Sequence, residues 1–96
     1  MARLDGARIL VVDDHAEMAR LVADQLTEAG YRVEAAAGGA EALRLVTAEL
    51  PDLVISDLRM ESVDGFDVLA RVHEIDPDVP VIVMTAFGAV ETAVEA

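Results

Sequence analysis

The apolar positions of the chain gather into four short runs rich in β-branched residues: Ile9 to Val12, Arg32 to Ala36, Leu53 to Ser56 and Pro80 to Met84. Three of these are almost continuously apolar, the pattern of strands buried on both faces. Helical periodicity fills the intervals. Met18, Leu21, Val22, Leu26 and Ala29 recur at spacings of one, three and four, and Gly30 follows where a left-handed helix terminator is usual. Ala42, Leu43, Val46 and Leu50 give one apolar face to a second helix over residues 39–50, which ends against Pro51. A third, over residues 66–75, turns Leu69 and Val72 inward and closes at Asp76-Pro77. From Gly88 onward, Val90 and Val94 at i, i+4 predict a fourth helix with no stop signal, so the chain is expected to end inside it.

Strands alternating with helices of this length imply βαβ units with right-handed crossovers, hence an α/β fold whose parallel sheet is covered on both faces. No residue-level repeat accompanies the alternation, which excludes a solenoid. With 96 residues, the chain holds one domain at most.

In such a sheet, ligands bind beyond the carboxyl ends of the strands. The first run ends in Asp13-Asp14, the third in Asp57 and the fourth in Thr85-Ala86, whereas the second ends in the apolar stretch Ala35 to Ala37. A strand order of 2-1-3-4, the flavodoxin-like doubly wound arrangement without its fifth strand, sets Asp14 against Asp57 and leaves the second strand outside the site. Three carboxylates about 5 Å apart repel one another by on the order of 3 kcal/mol per pair at an effective dielectric of ~20. Either one carboxyl stays protonated or a divalent cation sits among them. An all-oxygen donor set favours Mg²⁺, with Mn²⁺ as a substitute. A single Asp at a strand-to-helix turn is adequately explained as a helix cap. Two adjacent Asp residues, a third acid and a Thr, all at strand ends, are not.

The formal charge of −12 repels nucleic acid and anionic membranes alike, so direct nucleic-acid binding by this segment is not expected. The absence of Cys suits a reducing compartment, and no apolar run is long enough to cross a bilayer, which predicts a soluble, cytoplasmic protein. His15 and His73 read as solvated helix residues.

The strings Ile9-Leu10-Val11-Val12-Asp13-Asp14, Asp52 to Met60, Asp64-Gly65 and Pro80 to Ala86 resemble the receiver domain of bacterial response regulators, over essentially the whole chain. The resemblance implies that Asp57 accepts a phosphoryl group from a sensor histidine kinase. It implies that Asp14 and Asp57 bind Mg²⁺ directly with the backbone carbonyl of Arg59, and that Asp13 helps through water. Thr85 and the N–H of Ala86 would bond phosphoryl oxygens, and Phe87 would limit water entry. Such a domain modifies itself and is not an enzyme in the ordinary sense. Its last segment is similar to receivers joined to transcriptional activators.

The family completes its site with a Lys on a fifth strand, and all seven basic residues here are Arg. Residues 1–96 are therefore expected to form a receiver that stops before its fifth strand and helix. An open fourth strand would then favour a homodimer or strand exchange. Two rivals stand beside this reading: an aspartyl phosphatase, disfavoured because Asp13 and Asp14 are adjacent, and a phosphorylation-independent pseudo-receiver.

Overall fold

The computed structural model describes residues 6–60 and 63–84, and the backbone of 90–92. Among the described residues, five strands form one sheet: β1 (Arg8–Val12), β2 (Arg32–Ala36), β3 (Leu53–Asp57), β4 (Val81–Met84) and β5 (Val90–Thr92), in the order β2-β1-β3-β4-β5. The first four are parallel, in the flavodoxin-like order expected. Helices α1 (Ala16–Glu28), α2 (Gly39–Ala48) and α3 (Gly65–Ile75) connect these four in turn.

Each strand's side chains alternate between faces, so β1 supplies two cores at once. Leu10 and Val12 join Ala42, Val46, Val54, Val68 and Val72 under α2 and α3. Ile9 and Val11 pack with Ala19, Val22 and Leu26 of α1. Central strands buried this way account for the nearly continuous apolar runs. The polar ends of β1 are anchored separately. The Arg8 N–H donates to Asp52 Oδ2 at 2.9 Å, and its guanidinium lies 3.6 Å from both Glu34 and Glu49.

The helix boundaries follow from their caps. After α1, Gly30 adopts φ +106°, its N–H donates to Thr27 O at 3.0 Å, and the Tyr31 N–H donates to Leu26 O at 3.2 Å. These two bonds are the Schellman closure that the glycine predicted. Helix α2 stops two residues short of the predicted end, with Glu49 already extended; Leu50 precedes Pro51 and is itself biased away from helix. Helix α3 opens on a capping box in which Asp64 Oδ1 accepts from the Asp67 N–H and Asp67 Oδ2 accepts from the Asp64 N–H, both at 3.0 Å.

The fourth helix, expected from Gly88 onward, is corrected over residues 90–92, and residues 88–89 and 93–96 lie outside the described residues. Residues 90–92 pair with β4 as an antiparallel strand, with Ile82 opposite Thr92 and Met84 opposite Val90. The predicted periodicity rested on a single valine pair, whereas the free edge of β4 offers a row of backbone donors and acceptors that demand partners. The β-branched Val90 and Thr92 suit that pairing. The same finding removes the premise of dimerisation or strand exchange through an open fourth strand, because that edge is paired within the chain over Ile82–Met84.

Candidate functional site

Asp13 follows directly on β1, and its N–H donates to Ala36 O at 3.1 Å, carrying the β1–β2 ladder one residue beyond the strand. Because Val12 pairs with Ser56, the next positions along these neighbouring strands are Asp13 and Asp57. Sheet register therefore sets these two acids side by side. Asp13 is buried, only 6% exposed, and Asp57 is half-buried. An open cleft of about 700 Å³ lies over them, lined by Asp13, His15, Asp57 and Arg59, with Glu17, Met18 and Leu21 from α1.

Burial raises the pKa of the Asp57 carboxyl above its ordinary value, and the neighbouring charge of Asp13 raises it further. The backbone N–H groups of Arg59 and Leu58, and the His15 ring, pull the other way without cancelling the shift. Burial and the nearby Asp13 charge thus both disfavour the ionised Asp57 carboxyl. A hard divalent cation would favour it, and the carboxylate oxygens present fit Mg²⁺.

The protein packs tightly beneath Asp57. The Ser56 hydroxyl, fully buried, donates to Asp57 O at 3.0 Å. The Leu58 N–H donates to Met84 O at 2.8 Å, and the Gly65 N–H donates to Leu58 O at 2.9 Å, which fastens the start of α3 to the end of β3. A Cβ at Gly65 would meet Asp57 O at 2.7 Å and Leu58 Cα at 3.0 Å, so only glycine allows this approach.

The residues named from the sequence are distributed unevenly. Asp13, Asp57 and Arg59 share the cleft. Asp14, half-buried, is turned toward the start of α2, where a Cβ at Gly38 would stand 3.4 Å from its Oδ1. Ligand atoms of Asp13, Asp57 and His15 lie within 4.8 Å of one another, a group that does not include Asp14. Thr85, Ala86 and Phe87 lie outside the described residues.

His15 is the residue that sequence reasoning underrated. Its N–H donates to Asp13 Oδ1 at 2.8 Å, and its Nδ1 lies 3.1 Å from the same oxygen, although the ring is 81% exposed. A histidine two residues after a strand-end acid is the available signal, since a short Asp-to-backbone turn folds it back toward the carboxylate. His73 also differs from the expected solvated residue: its Nε2 is 3.0 Å from Val79 O. Ser56, a lone hydroxyl in an apolar strand, is the sequence signal for the buried contact with Asp57 O.

Comparison with known proteins places this geometry among relatives. Residues 9–96 match the family model of the response regulator receiver domain. The chain is 44% identical over 90 residues to the transcriptional regulatory protein GlrR of Escherichia coli K12, a match covering 94% of this chain and 20% of that protein. It is 39% identical over 84 residues to sporulation initiation phosphotransferase F of Bacillus subtilis, covering 88% of this chain and 68% of that one. The chain thus spans about a fifth of the length of GlrR but most of the smaller relative. Among solved structures, the response regulator protein TrrA of Thermotoga maritima, in complex with Mg²⁺-BeF, superposes with a TM-score of 0.77 at 36% identity. That superposition takes in 83% of this chain and 70% of TrrA.

Proposed function

The chain belongs to the response regulator receiver domain family, and from that premise we propose that Asp57 is its phosphoacceptor, charged by a sensor histidine kinase in the cytoplasm. The observation that carries this reading is the pairing of Asp13 with Asp57 at the carboxyl ends of adjacent parallel strands, under an open cleft.

In the reaction, an Asp57 carboxylate oxygen attacks the phosphorus of a phosphohistidine in line with the leaving nitrogen. The O–P bond forms as the P–N bond breaks, the imidazole leaves and takes up a proton, and an acyl phosphate remains on Asp57. Asp13 and Asp57, which share the cleft, with the Arg59 carbonyl are the groups that would hold Mg²⁺, and Asp14 would have to turn from the start of α2 to join them. When bound, the ion neutralises the phosphoryl oxygens. Asp57 gains from being held by buried backbone: the Ser56 and Gly65 contacts fix its main chain and so its direction of attack. The Thr85 hydroxyl and the Ala86 N–H supply donors to phosphoryl oxygens, and Phe87 limits access of water to the acyl phosphate. The signal then passes to an output function of the kind carried by transcriptional relatives such as GlrR.

Incubation with acetyl phosphate and Mg²⁺, read by intact-protein mass spectrometry, tests the proposal. One added phosphoryl group, lost in Asp57→Asn and in the presence of a chelator, is expected of a version extended through a Lys-bearing fifth strand, and weak or no gain of residues 1–96, which contain no Lys. No mass gain under any condition would favour a phosphorylation-independent interaction module.

A further inference from the structure

The third donor in the cleft is a nitrogen, and phosphoryl transfer assigns it no task. His15 Nδ1 stands 3.1 Å from Asp13 Oδ1, and both fall with an Asp57 oxygen inside the 4.8 Å group. Two donors bound side by side to one octahedral ion at ~2.1 Å are about 3.0 Å apart, so this pair already has the spacing of adjacent ligands. The imidazole is not consumed by the fold. His15 occupies the N-cap of α1 without a side-chain capping bond, and its ring opens into the cleft rather than the core.

The geometry points to His15 as a metal ligand that converts an acidic cation site into a mixed nitrogen and oxygen site, one that takes late first-row ions such as Co²⁺, Ni²⁺ or Zn²⁺ in preference to Mg²⁺. The inference rests on the reading of Asp13 and Asp57 as the cation-binding carboxylates. Imidazole adds little for Mg²⁺, which prefers oxygen and retains water, but adds strongly for ions along the rising part of the divalent series. The exposed ring can exchange its contact with Asp13 Oδ1 for a bond to an ion held by both atoms while keeping that spacing. A plain hydrogen bond of the same length would show no such discrimination, which separates the two roles experimentally.

The test is calorimetric titration of the 96-residue chain with MgCl₂ and with NiCl₂ near neutral pH. It is paired with the visible absorption of added Co²⁺, in wild type, His15→Ala, His15→Ser, His73→Ala and Asp57→Asn. One Ni²⁺ is expected to bind more tightly than Mg²⁺. Both His15 variants should weaken Ni²⁺ by about tenfold or more while leaving Mg²⁺ within about twofold. The Co²⁺ spectrum should change with His15 and not with His73. Mg²⁺ binding that depends on Asp57, together with Ni²⁺ binding indifferent to His15, would overturn the inference and leave the receiver site standing. Loss of Ni²⁺ in His73→Ala instead would also overturn it. Failure of Mg²⁺ to bind in an Asp57-dependent way would remove the carboxylate site on which it rests.

Discussion

Replacing Gly65 with alanine is expected to destabilise the protein through a single methyl group. The added carbon would lie 2.7 Å from Asp57 O, 3.0 Å from Leu58 Cα and 3.2 Å from Val83 Cγ1. Ordinary carbon contacts begin near 3.5 Å, so the first of these is too close by roughly 0.5 Å or more. Two of the three obstacles are backbone, which cannot rotate aside as a flexible side chain can. The start of α3 must therefore move off β3, against the 2.9 Å bond from the Gly65 N–H to Leu58 O, or the Asp57–Leu58 peptide must shift. Overpacking of this kind costs about 1–3 kcal/mol. For a domain of this size that lowers the thermal midpoint by roughly 5–20 °C, read by far-ultraviolet circular dichroism with two-state analysis. If Asp57 is the acceptor proposed above, phosphoryl acceptance from acetyl phosphate, measured below the midpoint, should fall as well, because the displaced atoms belong to its backbone. Phe66→Ala is the control: the ring is 51% exposed one residue along, and its loss should change stability by less than about 0.5 kcal/mol. A Gly65→Ala protein melting within about 2 °C of wild type would refute the close-packing argument.

Asp57→Asn should stabilise the protein near neutral pH. The carboxyl pKa is raised by burial and by Asp13, so the native state holds the Asp57 proton more firmly than the unfolded chain, and stability is lost as pH rises through the folded pKa. Thermal midpoints of the two proteins should differ in favour of the variant at neutral pH and converge once the pH falls below the ordinary carboxylate range. Asp64→Ala removes the capping box of α3 and should cost about 1 kcal/mol by urea unfolding, with an unchanged slope. Gly30→Ala meets open space at φ +106°, so its penalty of about 1 kcal/mol is purely conformational, and Gly30→Asn should recover part of it.

The sheet was legible because its central strands are apolar on both faces and its strand-end acids are polar interruptions at matching positions. Order 2-1-3-4 followed from which strand ends carried Asp and which carried Ala. Residues 90–92 misled because two valines four apart satisfy a helix as readily as an edge strand, and the edge of β4 decided between them. In the site, the strand-end acids could be named from position, but position set Asp14 against Asp57, where the register sets Asp13. The part played by His15 depends on a turn that folds one side chain back over another, which spacing alone does not encode. The closeness of Gly65 to the Asp57 backbone is likewise a fact of three dimensions, since in sequence it is simply a turn glycine.

Strand β1 presents apolar residues to both cores, so hydrophobicity alone does not tell it which way its side chains belong. Where only one face is buried, a one-residue slip is punished along the whole strand; here it would exchange one aliphatic set for another. The penalty falls instead on the two ends. A slip would pull Arg8 away from Asp52, Glu34 and Glu49, or carry Asp13 into the apolar interior. The acid that equips the cleft is thus also a stop that keeps the central strand in frame, so the geometry of the cleft and the correct assembly of the sheet depend on the same side chain.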